Sequence, residues 1–89
     1  MELSPPELSR RVNLAATGDG VAARQVWIHY ATVEDEPQYQ AWLRKAAELS
    51  DCNSLQHWAE TVRLSEDADA ATAKRIAALS TKYSCRIDG

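Results

Sequence analysis

The chain has 89 residues, of which 45% are hydrophobic and 26% are charged, and its formal net charge is −3. A domain of this size buries only about 60–65% of the surface that its unfolded chain exposes, which excludes a multidomain enzyme and a wide cleft between two lobes. The apolar fraction is too high for a disordered segment, and 15 alanines with 3 glycines and no phenylalanine favour helices over a sandwich or barrel. We therefore expect one compact all-α unit.

Capping residues and helical spacing predict the first two helices. The first helix is expected over residues 5–17, with Ser4 placed to cap it and Gly18 placed to end it. Asp19 is placed to cap the second helix, whose apolar stripe recurs every four residues. The stripe consists of Ala22, Val26 and Tyr30.

The third and fourth helices are each predicted to begin at an aspartate. Asp35, within the acidic stretch of residues 34–36, is expected to cap the third helix, and Asp51 is expected to cap the fourth. Apolar residues recur at helical spacing in both helices. They are Tyr39, Trp42, Leu43, Ala46 and Ala47 in the third helix, and Leu55, Trp58, Ala59 and Val62 in the fourth.

A fifth helix is predicted to start in the acidic, cap-forming run of residues 65–69. Its apolar stripe is Ala73, Ile76, Ala77, Ser80 and Tyr83. Residues 84–89 are expected to form a frayed or docked tail. Because the connections between helices span only two to five residues, consecutive helices should be antiparallel.

An alanine pair recurs every 31 residues along the chain. The three pairs are Ala15-Ala16, Ala46-Ala47 and Ala77-Ala78. The first two pairs are each followed by a short turn that ends in aspartate and then by a helix with aromatic residues. A repeat of two helices with this length is typical of an α-solenoid.

Residues 41–51, with the sequence AWLRKAAELSD, resemble the second helix and turn of a Sel1-like repeat, a relative of the tetratricopeptide repeat. When the turns at Asp19 and Asp51 are aligned, the family's small, aliphatic and aromatic positions fall at equivalent places in the two segments. These places are Ala22, Val26 and Tyr30, and then Ser54, Trp58 and Val62. Trp27 and Ala59 stand where the family usually has glycine, and residues 34–36 replace its glycine-rich loop. The resemblance covers about residues 15–64.

The resemblance implies a short α-solenoid of about five antiparallel helices within a single domain, residues 1–89. Two Sel1-like helix pairs would be followed by a capping helix over residues 65–83. It also implies that the first helix of each pair lines a concave face that binds another protein. The expected partner-binding residues are Arg24, Trp27, His29, Gln56, His57, Glu60 and Arg63. Trp27 is the candidate hot spot, and core packing is the alternative role for all three tryptophans.

No residue pattern indicates catalysis, a cofactor or a metal site. We expect His29 and His57 to be half-exposed, since each lies one position from an apolar stripe, and neither has a serine, cysteine or carboxylate at the spacing of a catalytic dyad. The acidic clusters lack the residue order of a calcium loop, and there is no phosphate-binding glycine loop. We expect a protein that is not an enzyme and that needs no cofactor.

Charge and hydropathy also limit the expected partners and the expected cellular compartment. The short basic pairs are set among acids and do not form the stripe of a nucleic-acid binder, and the longest uncharged stretch, residues 25–33, is about half of a membrane span. Because the N-terminal residues lack an apolar signal region, we expect a cytoplasmic protein. For a cytoplasmic protein, Cys52 and Cys85 are expected to be free thiols, although one bridge is permitted.

The leading hypothesis is an interaction module of a bacterial protein whose partner is another protein, such as a toxin or a secretion-related protein. The alternative is a bacterial immunity protein or antitoxin that blocks a cognate toxin, since about two repeats are few for a general scaffold. Two further questions stay open at this point. They are whether the chain is a fragment of a longer solenoid and whether it forms a homo-oligomer.

Overall fold

A computed structural model describes residues 2–64 and 69–86, and within them the chain forms five α-helices and no strand. The helices are α1 (Pro5–Ala16), α2 (Gly20–Thr32), α3 (Glu36–Glu48), α4 (Cys52–Leu64) and α5 (Ala70–Lys82). The predicted all-α fold is thereby confirmed. The predicted start of the fifth helix falls partly on residues 65–68, which lie outside the described residues. Among the described helices, none combines the length and the hydropathy that a bilayer span requires.

Three-residue turns of one construction join α1 to α2, α2 to α3 and α3 to α4. In each turn a residue with positive φ precedes an aspartate, and these residues are Gly18, Glu34 and Ser50. The aspartate amide donates to the carbonyl oxygen five residues earlier, which is the six-to-one bond of a Schellman motif. Turns this short reverse the chain, so the antiparallel order predicted for these helices is confirmed.

The turn aspartates Asp19, Asp35 and Asp51 lie 16 residues apart. Each caps the helix that follows, because a side-chain oxygen accepts the backbone N–H three residues later. Asp69 caps α5 in the same way. Ser4 also precedes a helix, but its hydroxyl makes no capping hydrogen bond, so its predicted role is wrong. The helices α2 to α5 each contain 13 residues, so the same helix length recurs along the chain.

The core has two parts. Where α1, α2 and α3 meet, one buried cluster consists of four alanines, namely Ala15, Ala22, Ala23 and Ala46, and Val26 of α2 is also fully buried. Where α3, α4 and α5 meet, the buried residues are larger, namely Leu43, Ala47, Leu55, Trp58, Ile76, Leu79 and Cys85. Small side chains let the first three helices approach closely, whereas Trp58 and the leucines fill a wider space. Trp27 and Trp42 are half-buried and pack against these clusters, so all three tryptophans take part in core packing.

The predicted packing stripe of α5 is partly wrong. Ala73 and Ala77 are exposed, while Ile76 and Leu79 supply the buried contacts. Ile76 and Leu79 bury more apolar area than alanines do, so these two side chains determine which face of α5 is turned toward the core. The third alanine pair, Ala77-Ala78, therefore faces away from the core, unlike the first two pairs, in which Ala15, Ala46 and Ala47 are buried.

Cys52 and Cys85 form a disulfide, so the expectation of free thiols is wrong. Their Cα atoms lie 5.4 Å apart, within the range that a disulfide requires. Cys52 begins α4 and Cys85 follows the end of α5. Because these helices are antiparallel, the two cysteines meet although 33 residues separate them in sequence. Of the predicted tail, residues 84–86 are described and are docked through Cys85.

Candidate binding surface

The helices α2 and α4 lie side by side and run in the same direction. Near the start of both helices, Arg24 Nη1 lies 3.3 Å from Asp51 Oδ1. About one turn further along, the Trp27 indole contacts Ser54 and His57. The positions in contact advance together along the two helices, so they are parallel neighbours. Each of the two helices is the first of an expected helix pair.

Asp51 is the centre of the contact between α2 and α4. Its Oδ2 accepts the backbone N–H of Ser54 at 3.1 Å and also a short hydrogen bond from the Ser54 hydroxyl. Its other oxygen faces the Arg24 guanidinium. Asp51 is only 8% exposed and Ser54 is fully buried. A carboxylate buried to this extent is tolerable because a cation and several donors compensate for the lost water.

Trp27 connects this carboxylate to the aromatic part of the contact. The indole Nε1 donates to Ser54 Oγ at 2.8 Å, so the serine hydroxyl accepts from Trp27 and donates to Asp51. The indole ring also stacks on the His57 imidazole, with centroids 4.8 Å apart and an interplanar angle of 16°. The donor of Trp27 is thereby satisfied while its ring fills the space between the helices.

Tyr39 of α3 contacts both His57 of α4 and Trp27 of α2. Its hydroxyl lies 2.6 Å from His57 Nε2, and its ring centroid lies 5.7 Å from that of Trp27. Burial raises the pKa of the Tyr39 phenol, the Glu36 carboxylate raises it further, and a hydrogen bond with Thr61 lowers it. The phenol is therefore held in its neutral form. We call the set Arg24, Trp27, Tyr39, Asp51, Ser54 and His57 the α2–α4 network.

Gly20 allows α2 to approach the turn between α3 and α4. A Cβ atom at this position would lie 2.5 Å from the Leu49 carbonyl oxygen and 3.3 Å from the Asp51 backbone nitrogen and Cβ. Any larger residue would push α2 away from Asp51. Gly20 leaves no signal in the sequence, because a glycine after a capping aspartate has no distinctive pattern of its own.

Exposed and half-exposed side chains recur at helical spacing along one face of α2 and along one face of α4. On α2 they are Val21, Gln25, Ile28 and Thr32, and on α4 they are Asn53, Gln56, Glu60 and Arg63. We call these eight residues, with Arg24 at the seam between the helices, the α2–α4 surface. It presents mixed charge and two aliphatic side chains.

The seven residues expected to bind a partner separate into three groups. Arg24, Trp27 and His57 belong to the α2–α4 network. Gln56, Glu60 and Arg63 lie on the outer side of α4, where Gln56 Nε2 donates to Glu60 Oε1 at 3.1 Å. His29 lies apart from both groups and is only 8% exposed.

His29 was expected to be half-exposed, and this is wrong. Its Nδ1 accepts the backbone N–H of Leu3 at 2.9 Å, so the segment before α1 covers it. The side chain holds the N-terminal segment against α2 rather than facing the α2–α4 surface.

A groove lies between α3, α4 and α5. This groove has a volume of about 280 Å³ and is lined by Arg44, Glu48, Trp58, Ala71, Thr72 and Arg75. The Arg44 guanidinium lies 5.4 Å from the Trp58 ring centroid, and Arg75 Nε lies 3.2 Å from Glu48 Oε1. Because Glu48 neutralises Arg75 within the groove, the region offers less uncompensated charge than its two arginines suggest.

No protein-family model, curated protein or solved structure matches the chain. The resemblance of residues 41–51 to a Sel1-like repeat therefore stays a prediction. Within residues 2–64 and 69–86, no group of three or more histidine, cysteine, aspartate or glutamate side chains is arranged to hold a metal ion.

Proposed function

We propose that this chain is a small protein-binding module and that its partner docks on the α2–α4 surface. The observation that carries the proposal is the pairing of two parallel helices through a buried polar network. This network holds the exposed sides of α2 and α4 in one orientation before a partner arrives. Preorganisation of this kind favours affinity, because less conformational entropy is lost on binding.

The spacing of the capping aspartates supports a short solenoid of Sel1-like type. Asp19 and Asp51 begin α2 and α4 at an offset of 32 residues, and both accept the amide of the third helical residue. The helices α2 and α4 then take the places of the first helices of two successive pairs. In such a solenoid the first helices line the face that binds a partner.

The partner-binding role is assigned chiefly to the outer residues of α4. Gln56, Glu60 and Arg63 offer hydrogen bonds and both signs of charge, and Val21 and Ile28 of α2 add apolar area. Arg24 is half-exposed and already pairs with Asp51, so it contributes at the seam. Trp27 and His57 act mainly as supports of the surface, because their polar atoms are engaged with Ser54 and Tyr39.

The disulfide bears on the compartment in which the module works. Disulfides persist in oxidising compartments and are rare in the cytosol, so the Cys52–Cys85 bridge favours an oxidising compartment over the expected cytoplasmic address. Rapid acid quenching of cells, followed by alkylation of free thiols, measures the bridged fraction. A chain that is fully alkylated without prior reduction would restore the cytoplasmic assignment.

A dedicated inhibitor, such as an immunity protein or antitoxin, is the second candidate. The observation that favours it is the covalent closure of a body that measures only 37 × 26 × 18 Å. A small, braced protein with one preorganised surface suits a single tightly bound target. Affinity capture with the full chain distinguishes the two candidates. Recovery of one partner in an amount equal to that of the chain would support the inhibitor, whereas recovery of several partners would support an adaptor.

Site-specific photo-crosslinking tests the assignment of the surface. A photoreactive amino acid replaces Glu60 on the α2–α4 surface or, as the matched control, Lys74 on the exposed side of α5. We expect the Glu60 position to crosslink one or a few discrete proteins that the Lys74 position does not capture. If only the Lys74 position gave discrete products, the partner would bind on the exposed side of α5, and the assignment to the α2–α4 surface would be wrong.

Charge reversal then measures the contribution of a single side chain. Once a crosslinked protein is identified, Arg63→Glu should weaken its binding by about five- to tenfold, and Lys74→Glu by less than about twofold. Circular dichroism should show unchanged helix content in both variants. Equal affinities for the two variants would mean that α4 does not contact the partner.

A further inference from the structure

We propose that Cys52 is the site at which thiols react with the Cys52–Cys85 bridge, and that reduction by a dithiol releases α5 from the other helices. The ligand class is a low-molecular-weight or protein dithiol. This inference concerns α5 and its covalent attachment, and it does not depend on the function proposed for the α2–α4 surface.

The two cysteines of the bridge differ in their exposure. Cys52 is an exposed residue at the first position of α4, whereas Cys85 is 8% exposed and belongs to the larger core cluster. The backbone of Cys85 is also held in place. Its amide donates to the Ser80 carbonyl oxygen at 2.9 Å, and its carbonyl oxygen accepts the Ser80 hydroxyl at 2.7 Å. An incoming thiolate therefore has access to Cys52.

The exchange reaction follows from this asymmetry. A thiolate of the dithiol attacks the Cys52 sulfur, the S–S bond breaks, and its electron pair leaves on Cys85, which then takes up a proton. The second thiol of the reductant next attacks the mixed disulfide and releases Cys52 as a thiolate. In total, the dithiol loses two electrons and becomes a disulfide, its second thiol giving up a proton, while the bridge gains two electrons and becomes a thiol at Cys85 and a thiolate at Cys52 that solvent can protonate.

The helix α5 depends on the bridge more than the other helices do. It places only Ile76 and Leu79 in the buried core, while much of its remaining surface is exposed alanine. Its described polar contacts with α3 both involve Glu48. Tyr83 donates its hydroxyl hydrogen to the Glu48 carbonyl oxygen at 2.9 Å, and Arg75 pairs with the Glu48 carboxylate on the surface. Surface ion pairs of this kind add little stability.

Reduction would therefore act locally. The bridge joins Cys52, at the start of α4, to Cys85, three residues beyond the end of α5, so its loss frees this end of the helix. Leu43, Leu55 and Trp58 would then lose the side chains that cover them. The α2–α4 network contains no residue of α5 and would remain in place.

Trapping of the mixed disulfide tests the site of attack. The oxidised full chain is treated with glutathione, quenched in acid and mapped by mass spectrometry. We expect the adduct on Cys52 to exceed that on Cys85 by at least about tenfold. Equal adducts, or an adduct chiefly on Cys85, would overturn the assignment.

Hydrogen exchange tests the release of α5. On addition of a dithiol, the amides of residues 76–82 should exchange at least about tenfold faster, while those of α2 and α3 keep their protection. The double variant Cys52→Ser/Cys85→Ser is the control, and it should show fast exchange in α5 with and without the dithiol. Unchanged exchange in α5, or an equal loss of protection in every helix, would contradict local release.

Discussion

The two sides of α4 are attached to their neighbours in different ways. Toward α2, the contact consists of a buried carboxylate, a buried serine and a stacked tryptophan, and every polar atom that we describe there has a partner. Toward α5, the contact consists of apolar side chains and a disulfide. The first contact specifies one relative position of two helices, whereas the second holds a helix at one covalent point. The network side is the better scaffold for recognition, and the bridged side is the one that redox chemistry can open.

Removal of Asp51 should have the largest effect among the substitutions considered. Asp51→Ala removes a helix cap, leaves the buried Ser54 hydroxyl without its acceptor and leaves Arg24 unpaired. We expect a loss of about 3 kcal/mol in the free energy of unfolding, measured by urea denaturation. Asp35→Ala is the matched control, because Asp35 also caps a helix and its capping bond is exposed. It should lose only about 1 kcal/mol, and equal losses would show that Asp51 acts as a cap alone.

The two glycines on either side of Asp19 provide a comparison of medium size. Gly20→Ala places a Cβ 2.5 Å from a backbone oxygen, so α2 must shift, and we expect a loss of about 2 kcal/mol. Gly18→Ala meets no atom within 4 Å, but alanine is disfavoured at φ +102°, and the expected loss is about 1 kcal/mol. Urea denaturation measures both values. A smaller loss for Gly20→Ala would mean that α2 does not approach the turn this closely.

A substitution in the second turn should stabilise the chain. Glu34 has φ 60°, in the left-handed region that glycine adopts without steric cost. Glu34→Gly should therefore raise the free energy of unfolding by about 0.5 kcal/mol, after the greater flexibility of the unfolded glycine chain is included. A rise in the thermal midpoint of a few degrees would be the measured result. A fall in the thermal midpoint would mean that the Glu34 side chain stabilises the folded chain by more than its positive φ destabilises it.

The smallest expected effect is the pH dependence caused by Tyr39. Burial raises the pKa of its phenol in the folded chain above the ordinary value near 10, so the folded state binds the proton more tightly than the unfolded state. The resulting stability is fully present below pH 10 and is lost as the pH rises through the folded pKa. Tyr39→Phe should show a shallower decline of unfolding free energy above pH 10. Identical declines in both proteins would remove Tyr39 as the cause.

The sequence was sufficient to predict the helices and their order. Aspartates followed by apolar residues at helical spacing identified Asp19, Asp35 and Asp51 as caps, because capping is a local interaction between residues three apart. The end of α1 at Gly18 was also predictable, since positive φ favours glycine. These features depend on short stretches of chain and therefore leave a signal in the sequence.

The network, the disulfide and the burial of His29 depend on contacts between distant residues. A serine on the apolar stripe of α4 was the one available signal for the network, because a polar residue at a core position requires a buried partner. Cys52 and Cys85 gave no spacing signal, since only the antiparallel packing of α4 and α5 brings them together. The cover over His29 comes from Leu3, 26 residues away.

A double-mutant cycle between Trp27 and Ser54 tests the central claim that α2 and α4 are held directly to each other. Trp27→Phe removes the indole donor, Ser54→Ala removes the hydroxyl, and the double variant removes both. Urea denaturation of the four proteins should give a coupling energy of about 1 kcal/mol, because the hydrogen bond is buried and connects to Asp51. A coupling energy near zero would mean that the two helices are not paired through this contact, and it would contradict the account.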